Sequence, residues 1–397
     1  MISKEREKKL ESNIWKFYLY RFFCSWFFAT PIFVLFFQDL GLSMTQIMIL
    51  ESCFTLVVVL TLIPSGIIGD YIGRKRLLAI NTLFFVAGSI MIATSSTYIM
   101  FIIAYILFGV SSATWAASGT PFFFDNLKEL GREKEFKKLL GNVNAINYII
   151  GGLGALVGGN MATFDMRLTF WATAAAMTLA FIVALTFTET KLYKHGDKNY
   201  FNHLKDAVRF ASRHPRVRML IIFSAIFWGA MFSVYMLYQP YFSSLGIPMA
   251  YFGAIYLVLY ILGGLSAKLT HKIEKHLAEN EILFLIGTFG LISVMSLMFN
   301  VIIVGIIAAM LMFMIWGIFD TVIADYMHKH IESKHRSTVH SLNILSGELV
   351  MTVLAPFVGW LVDFWSLTTA FIFSAALLTA NIVILTIALS IAKKKAK

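Results

Sequence analysis

Read as a pattern of apolar and polar positions, the 397-residue chain is a series of long apolar runs separated by short polar punctuation. Twelve runs are each long enough to cross ~30 Å of hydrocarbon at ~1.5 Å of helix rise per residue. They lie at about 14–38, 44–69, 77–95, 98–125, 137–160, 166–188, 217–242, 248–270, 281–299, 301–328, 337–362 and 366–391. The pattern predicts an all-α integral membrane protein with twelve transmembrane helices. The turns at 40–43 and 245–248 carry Gly41, Gly246 and Pro248, residues that break regular structure.

The longest polar connection, 189–216, divides the chain into an N-terminal six-helix bundle (1–188) and a C-terminal one (217–397). Within it, Phe201, Leu204, Val208 and Ala211 recur at helical spacing, with Lys205, Arg209 and Arg213 between them. That is an amphipathic helix suited to the inner membrane surface. The halves echo one another at an offset of about 200 residues. Gly66 and Asp70 answer Gly264 and Lys268, Asp125 answers Asp325, and Gly158 answers Gly359. Two pseudo-symmetric six-helix bundles around a central path are the layout of a secondary transporter.

Composition strengthens this picture. With 58% hydrophobic and 14% charged residues and a mean hydropathy of +0.76, the chain is not a soluble globular protein. The net charge of +11 would point to nucleic acid in a soluble protein, but its placement argues otherwise. Of 33 Lys and Arg, 30 fall in the termini and the loops on one side. Lys16 and Arg21 lie in the first run, and only Arg167 lies in a loop on the other side. The positive-inside rule then puts both termini in the cytoplasm of a cell (inner) membrane protein. Cys24 and Cys53 lie in apolar runs and form no disulfide framework or zinc spacing. The first run is too long for the apolar region of a cleavable signal.

The connection between the second and third runs reads Gly66-Ile67-Ile68-Gly69-Asp70-Tyr71-Ile72-Gly73-Arg74-Lys75-Arg76. It resembles the G-x-x-x-D-[RK]-x-G-[RK]-[RK] motif of the major facilitator superfamily, departing only at Tyr71. In the fifth run, Gly141, Gly154, Gly158 and Gly159 match the glycine motif of that superfamily's drug-proton antiporters, while Ile150 and Ala155 replace a glycine and the proline. The arginine of the antiporters' R-x-x-Q-G pattern is absent before Gly109. The resemblance spans the chain and implies alternating access. It also implies a cytoplasmic gate of Gly66, Asp70, Gly73, Arg74, Asp125, Lys272 and Asp325. In that gate Asp70 faces the eleventh helix near residue 337, Arg74 pairs with Asp125, and by symmetry Asp325 pairs with Lys272. The small residues of the fifth run form a helix-packing surface.

Ionisable groups inside the apolar runs are expensive, so each is a candidate for chemistry. Glu51, Glu348 and Asp320 are candidates for proton coupling, each weighed against a structural role as a hydrogen-bonded buried acid. Glu348 stands near the middle of the eleventh run on a stripe with Ser341 and Thr352, and Asp320 follows Trp316 by one turn. Arg21, Trp115, Trp228, Tyr235, Tyr238, Gln239 and Trp316 are candidates for a substrate cavity. An aromatic cavity with a few acids suits hydrophobic, often cationic compounds.

The nine histidines sit at loops and helix ends without clean ligand spacing, so neither a metal nor a cofactor is expected. There is no phosphate-binding G-x-x-x-x-G-K-[ST], no H-E-x-x-H and no nucleophile elbow. The expectation is a monomeric secondary transporter, not an enzyme. Its partners are a small-molecule substrate, protons and the lipid bilayer, with no nucleic acid. Proton-coupled export of a hydrophobic or amphipathic compound is the leading reading. A proton symporter or uniporter for a nutrient or anionic metabolite is the alternative, and a polytopic membrane enzyme is the reading from another class.

Overall fold

The computed structural model describes residues 3–191, 200–331 and 336–395. Its regular structure there is helical, with no strand among the described residues. The helices are α1 (Lys4–Cys24), α2 (Phe33–Asp39), α3 (Met44–Ile72), α4 (Arg74–Thr94), α5 (Tyr98–Glu129), α6 (Phe136–Ala162) and α7 (Met166–Leu185). They continue with α8 (Tyr200–Arg213), α9 (Pro215–Ser244), α10 (Phe252–Ile273), α11 (Glu279–Leu297), α12 (Ile302–His330), α13 (Arg336–Phe364) and α14 (Leu367–Lys395).

Eleven of these, α3 to α7 and α9 to α14, are each long and apolar enough to span a membrane. The remaining span is the first, and it corrects an expectation. The sequence predicts one helix over 14–38, whereas the chain leaves the helix after Cys24 and re-enters it at Phe33. Pro31 has no amide N–H to donate and disfavours helical backbone at Thr30, so a break here is local chemistry. Freed backbone groups at membrane depth must find partners. The Phe28 amide donates to Thr173 Oγ1 at 3.2 Å on α7. The unwound backbone also lies directly on α6: a Cβ on Gly158 would stand 1.8 Å from the Phe28 carbonyl oxygen.

The chain divides into two compact units. Unit 1 comprises Met1–Phe36, Cys53–Gly196 and Met249–Leu257, and unit 2 comprises Phe37–Ser52, Asp197–Pro248 and Val258–Lys397. The helices α3 and α10 therefore each begin in one unit and continue in the other. Unit 1 is centred on buried aromatics, with Phe17 stacked on Phe123 at 4.5 Å and Phe122 against Phe187 at 4.9 Å. In unit 2, α9 is the central helix, and Phe227 meets Phe319 of α12 at 4.8 Å. The amphipathic segment 200–213 is helical, with Ala211 buried and Val208 exposed, while the side chains of Phe201 and Leu204 lie outside the described residues.

Candidate functional site

Within unit 2, α9, α12 and α13 line an open cavity of about 250 Å³. Its wall carries two carboxylates, Asp320 from α12 and Glu348 from α13, together with Trp228, Ser224 and Asn343. Among the described residues, neither carboxylate has a hydrogen-bonding or ion-pair partner for its side chain. Both acids are brought to one space by helix geometry: Asp320 follows Trp316 by one turn, and Glu348 follows Gly347, which has to be small. A Cβ on Gly347 would meet Trp228 Cδ1 at 3.1 Å. Trp228 is held edge-on to Trp316 at 5.2 Å, and Trp316 in turn meets Tyr235 at 5.8 Å. Ser224 Oγ donates to Asn343 Oδ1, tying α9 to α13 beside the acids. Thr352 donates to the Glu348 backbone carbonyl at 2.8 Å.

Of the five predicted cavity residues in unit 2, Trp228 lines this space, while Trp316 and Tyr235 pack next to it in the aromatic cluster without lining it. Tyr238 and Gln239 are fully buried in the packing of unit 2 and do not line this space, with the Tyr238 hydroxyl 2.9 Å from the Met312 sulfur. They share α9 with Trp228 but point to its packed side. Glu51 is buried in the N-terminal part of α3, within unit 2.

Unit 1 holds the other two. The Arg21 guanidinium lies 4.2 Å from the centre of the Trp115 ring. Gly119, one turn along α5, makes that ring position available, because a Cβ there would be 2.3 Å from the indole.

The charged motif that the resemblance reads as a gate lies in unit 1, and part of its pairing is present. Arg74 pairs with Asp125 at 2.7 Å with both side chains largely buried, the pairing that the resemblance implies. Gly73 has φ +94° and ψ 148°, a backbone shape essentially reserved to glycine. A Cβ there would also stand 2.3 Å from Glu189 Oε2. Glu189 accepts the Lys75 amide at 3.1 Å and so caps the start of α4. Burial raises its pKa above the ordinary carboxylate value, against the lowering effect of the Lys75 and Arg74 amides. Arg6 chelates Glu129 at 2.6 and 3.2 Å and also donates to the Glu189 carbonyl at 3.3 Å. Asn13 bonds Asn126 at 2.8 Å and the Thr188 backbone on both sides.

Pattern reading missed Arg6, Glu129 and Glu189. The spacing Phe187-Thr188-Glu189-Thr190-Lys191 after the sixth span carries a polar signal, but nothing in it shows which helix start it caps.

Other gate expectations are revised. Asp325 pairs with Lys329 at 2.6 Å on its own helix and not with Lys272. A partner one turn away on the same surface is within reach without crossing to another helix. Gly66 and Asp70 end α3, and Asp70 is exposed. The side chains near residue 337 that it is expected to face lie outside the described residues.

Of the glycines in α6, Gly158 and Gly159 make close approaches, the latter 2.6 Å from the Gly253 amide nitrogen for a Cβ placed there. Gly154 has only ordinary contact, and Gly141 faces open space, so it is not part of a packing surface.

An acid outside all of these sets also has a defined task. Asp363, at the end of α13, accepts the Met44 amide at 2.9 Å and the Thr45 amide at 2.7 Å, capping α3. Gly359, one turn earlier, allows the approach: its Cβ would be 2.8 Å from the Met44 carbonyl oxygen.

Twelve spans, one of them broken, with buried paired charges and an acid-bearing cavity, are the fold of a polytopic membrane protein. Residues 22–351 match the Major Facilitator Superfamily, and the chain belongs to that family. It is 21% identical over 371 residues to YxaM of Bacillus subtilis, an uncharacterized MFS-type transporter, covering 90% of this chain and 91% of YxaM. It is 24% identical over 155 residues to the quinolone resistance protein NorA of Staphylococcus aureus, covering 39% of each. Among solved structures, the nucleoside transporter NupG is similar with a TM-score of 0.79 at 12% identity, covering 97% of this chain and 99% of NupG. A bacterial homologue of the lysosomal transporter Spinster has a TM-score of 0.71 at 13% identity, covering 98% of this chain and 96% of its own. These likenesses describe the twelve-helix fold of two six-helix bundles and leave the solute to the site.

Proposed function

We propose that the protein is a proton-coupled secondary transporter that exports hydrophobic or amphipathic small molecules by alternating access. In this reading it is a monomer in the cell (inner) membrane with both termini cytoplasmic. The observation that carries the reading is the unit 2 cavity, where Asp320 and Glu348 face one aromatic-walled space without protein partners. A carboxyl there holds a proton until a substrate displaces it, and the inward proton gradient reloads it from the outside. Trp228 supplies apolar and cation–π contact for the solute. The Arg74–Asp125 pair and the Glu189 cap serve as inner-gate contacts in this scheme. The likeness to NorA is in keeping with export. Symport or uniport of a nutrient or anionic metabolite is equally compatible with the fold likeness to NupG.

The test is transport in proteoliposomes carrying Glu348→Gln and Asp320→Asn. Each change mimics the protonated acid. Gradient-driven accumulation of ethidium is expected to fall at least tenfold in one or both variants, while passive exchange of ethidium stays near the wild-type rate. Gradient-driven transport at the wild-type level in both variants would remove the cavity acids from coupling.

A further inference from the structure

Unit 1 contains an ionised group that the scheme above does not use. Arg21 is in the last turn of α1, immediately before the unwound stretch 25–32. Its Nε is buried without a hydrogen-bond partner, and its guanidinium makes no hydrogen bond or ion pair to any described residue. Its ionisable neighbours are Tyr20 and Cys24, a phenol and a thiol, neither of which supplies a negative charge of carboxylate strength. Arginine stays protonated in proteins, so a full positive charge stands at membrane depth without a counter-ion. The Trp115 face and the negative end of α1 compensate part of that cost, but neither carries a net charge.

The surroundings are built rather than accidental. Gly119 leaves room for the Trp115 ring, since a Cβ there would stand 2.3 Å from it. The Trp115 ring is held by stacking on Phe17 at 6.2 Å and Tyr20 at 6.1 Å. Tyr20 is anchored by its hydroxyl, which donates to Asn81 Oδ1 at 2.9 Å, and Asn81 is bonded in turn to Ser111. One turn beyond Arg21, Ser25 Oγ spans the Arg21 carbonyl and Asn147 Oδ1, both at 2.7 Å. A spanning helix that breaks at membrane depth is tolerated where its backbone lies against protein or lines a cavity, and transporters place ligand groups at such half-helix ends.

We propose that Arg21, poised on Trp115 at the end of the broken first span, binds an oxyanion, the carboxylate or phosphate of an organic solute. The guanidinium fork recognises such groups through paired N–H donors. The indole beneath it offers a platform for an apolar or aromatic body on the same solute. This inference rests on the transport reading only in taking that solute as cargo, and it adds to the cargo amphipathic molecules that carry an anionic group.

The test is equilibrium binding to the full-length purified protein without a gradient, so that it is independent of proton coupling. Two matched probe pairs are used: indole-3-acetate against indole, and phenyl phosphate against phenol. The wild type is expected to prefer the anionic member of at least one pair by about tenfold or more, as loss of a charged hydrogen bond would require. Arg21→Gln is expected to abolish the preference, and Arg21→Lys to retain part of it. Without ligand, Arg21→Gln should melt at or above the wild-type temperature, because it removes an uncompensated charge. No preference in the wild type for either pair, or a preference that survives in Arg21→Gln, overturns the proposal. So does a marked loss of thermal stability in Arg21→Gln, which would assign the charge a structural partner.

Discussion

At the scale of single residues, the start of α4 in unit 1 rests on a partly buried carboxylate. Glu189 caps α4 through the Lys75 amide, and its pKa is raised by burial. A group whose folded pKa lies above its unfolded one contributes stability that is fully present below the unfolded value. That contribution is lost as pH rises through the folded value. The wild type should therefore lose stability between acidic and neutral pH through this residue. Glu189→Gln keeps an acceptor for the amide and removes the titration. Melting temperatures measured at pH 5 and pH 8 should show the variant gaining on the wild type at the higher pH, and a pH-independent difference would contradict the assignment.

Gly73→Ala is the companion change, and it meets both a glycine-only backbone shape and the Glu189 carboxylate. A loss of about 1–3 kcal/mol in thermal or denaturant unfolding is expected, with Glu189→Ala in the same background restoring part of it by clearing the clash. The Arg74–Asp125 pair was legible because its motif has fixed spacing. The Glu189 contact was not, since a cap formed 114 residues away leaves no periodic trace.

At the scale of elements, the informative one is the first span. Hydropathy alone reads 14–38 as a helix, because Trp26, Phe27 and Phe28 are as apolar inside a break as inside a helix. Pro31 was the available sign, and the partner that admits the break, Gly158, is on another helix. The glycine motif of α6 was legible as a group but not residue by residue. Gly158 and Gly159 are required by contact, and Gly141 is not. Gly158→Ala should accordingly abolish folding or transport while Gly141→Ala leaves both near wild type. Comparing surface expression and ethidium efflux of the two variants checks this, and equal effects would contradict it.

The cap on α3 is a second element-scale device. Asp363→Ala removes the acceptor of two amides and should cost about 0.5–2 kcal/mol, the usual worth of an N-cap. Asp363→Asn should retain most of it. The corresponding end of α6 carries Met161, Ala162 and Thr163 and has no such acid.

At the scale of the whole molecule, the twelve spans were legible, because length and hydropathy are all that a bilayer demands of a spanning helix, whereas the compact units depart from a division into 1–188 and 217–397 by exchanging 37–52 and 249–257. The cavity was legible only in part. Trp228, Asp320 and Glu348 were recognisable as ionisable or aromatic residues in apolar runs. That they share one space while Tyr238 and Gln239 do not depends on helix rotation, which an all-round apolar helix does not encode.

The orientation expected from the charge asymmetry can be checked directly. Single cysteines introduced near residue 275 should react with an impermeant thiol reagent only from the cytoplasmic side, and those near 163 only from outside. The reverse pattern would overturn the orientation.

The central claim, that Asp320 and Glu348 exchange a proton for solute, is tested most directly by proton release from the purified protein. Ethidium is added to weakly buffered protein near neutral pH while a pH indicator is read. The account predicts proton release that saturates with ethidium binding in the wild type and disappears in the Asp320→Asn/Glu348→Gln double variant. Release of the same size from the double variant, or binding without release in the wild type, would contradict it.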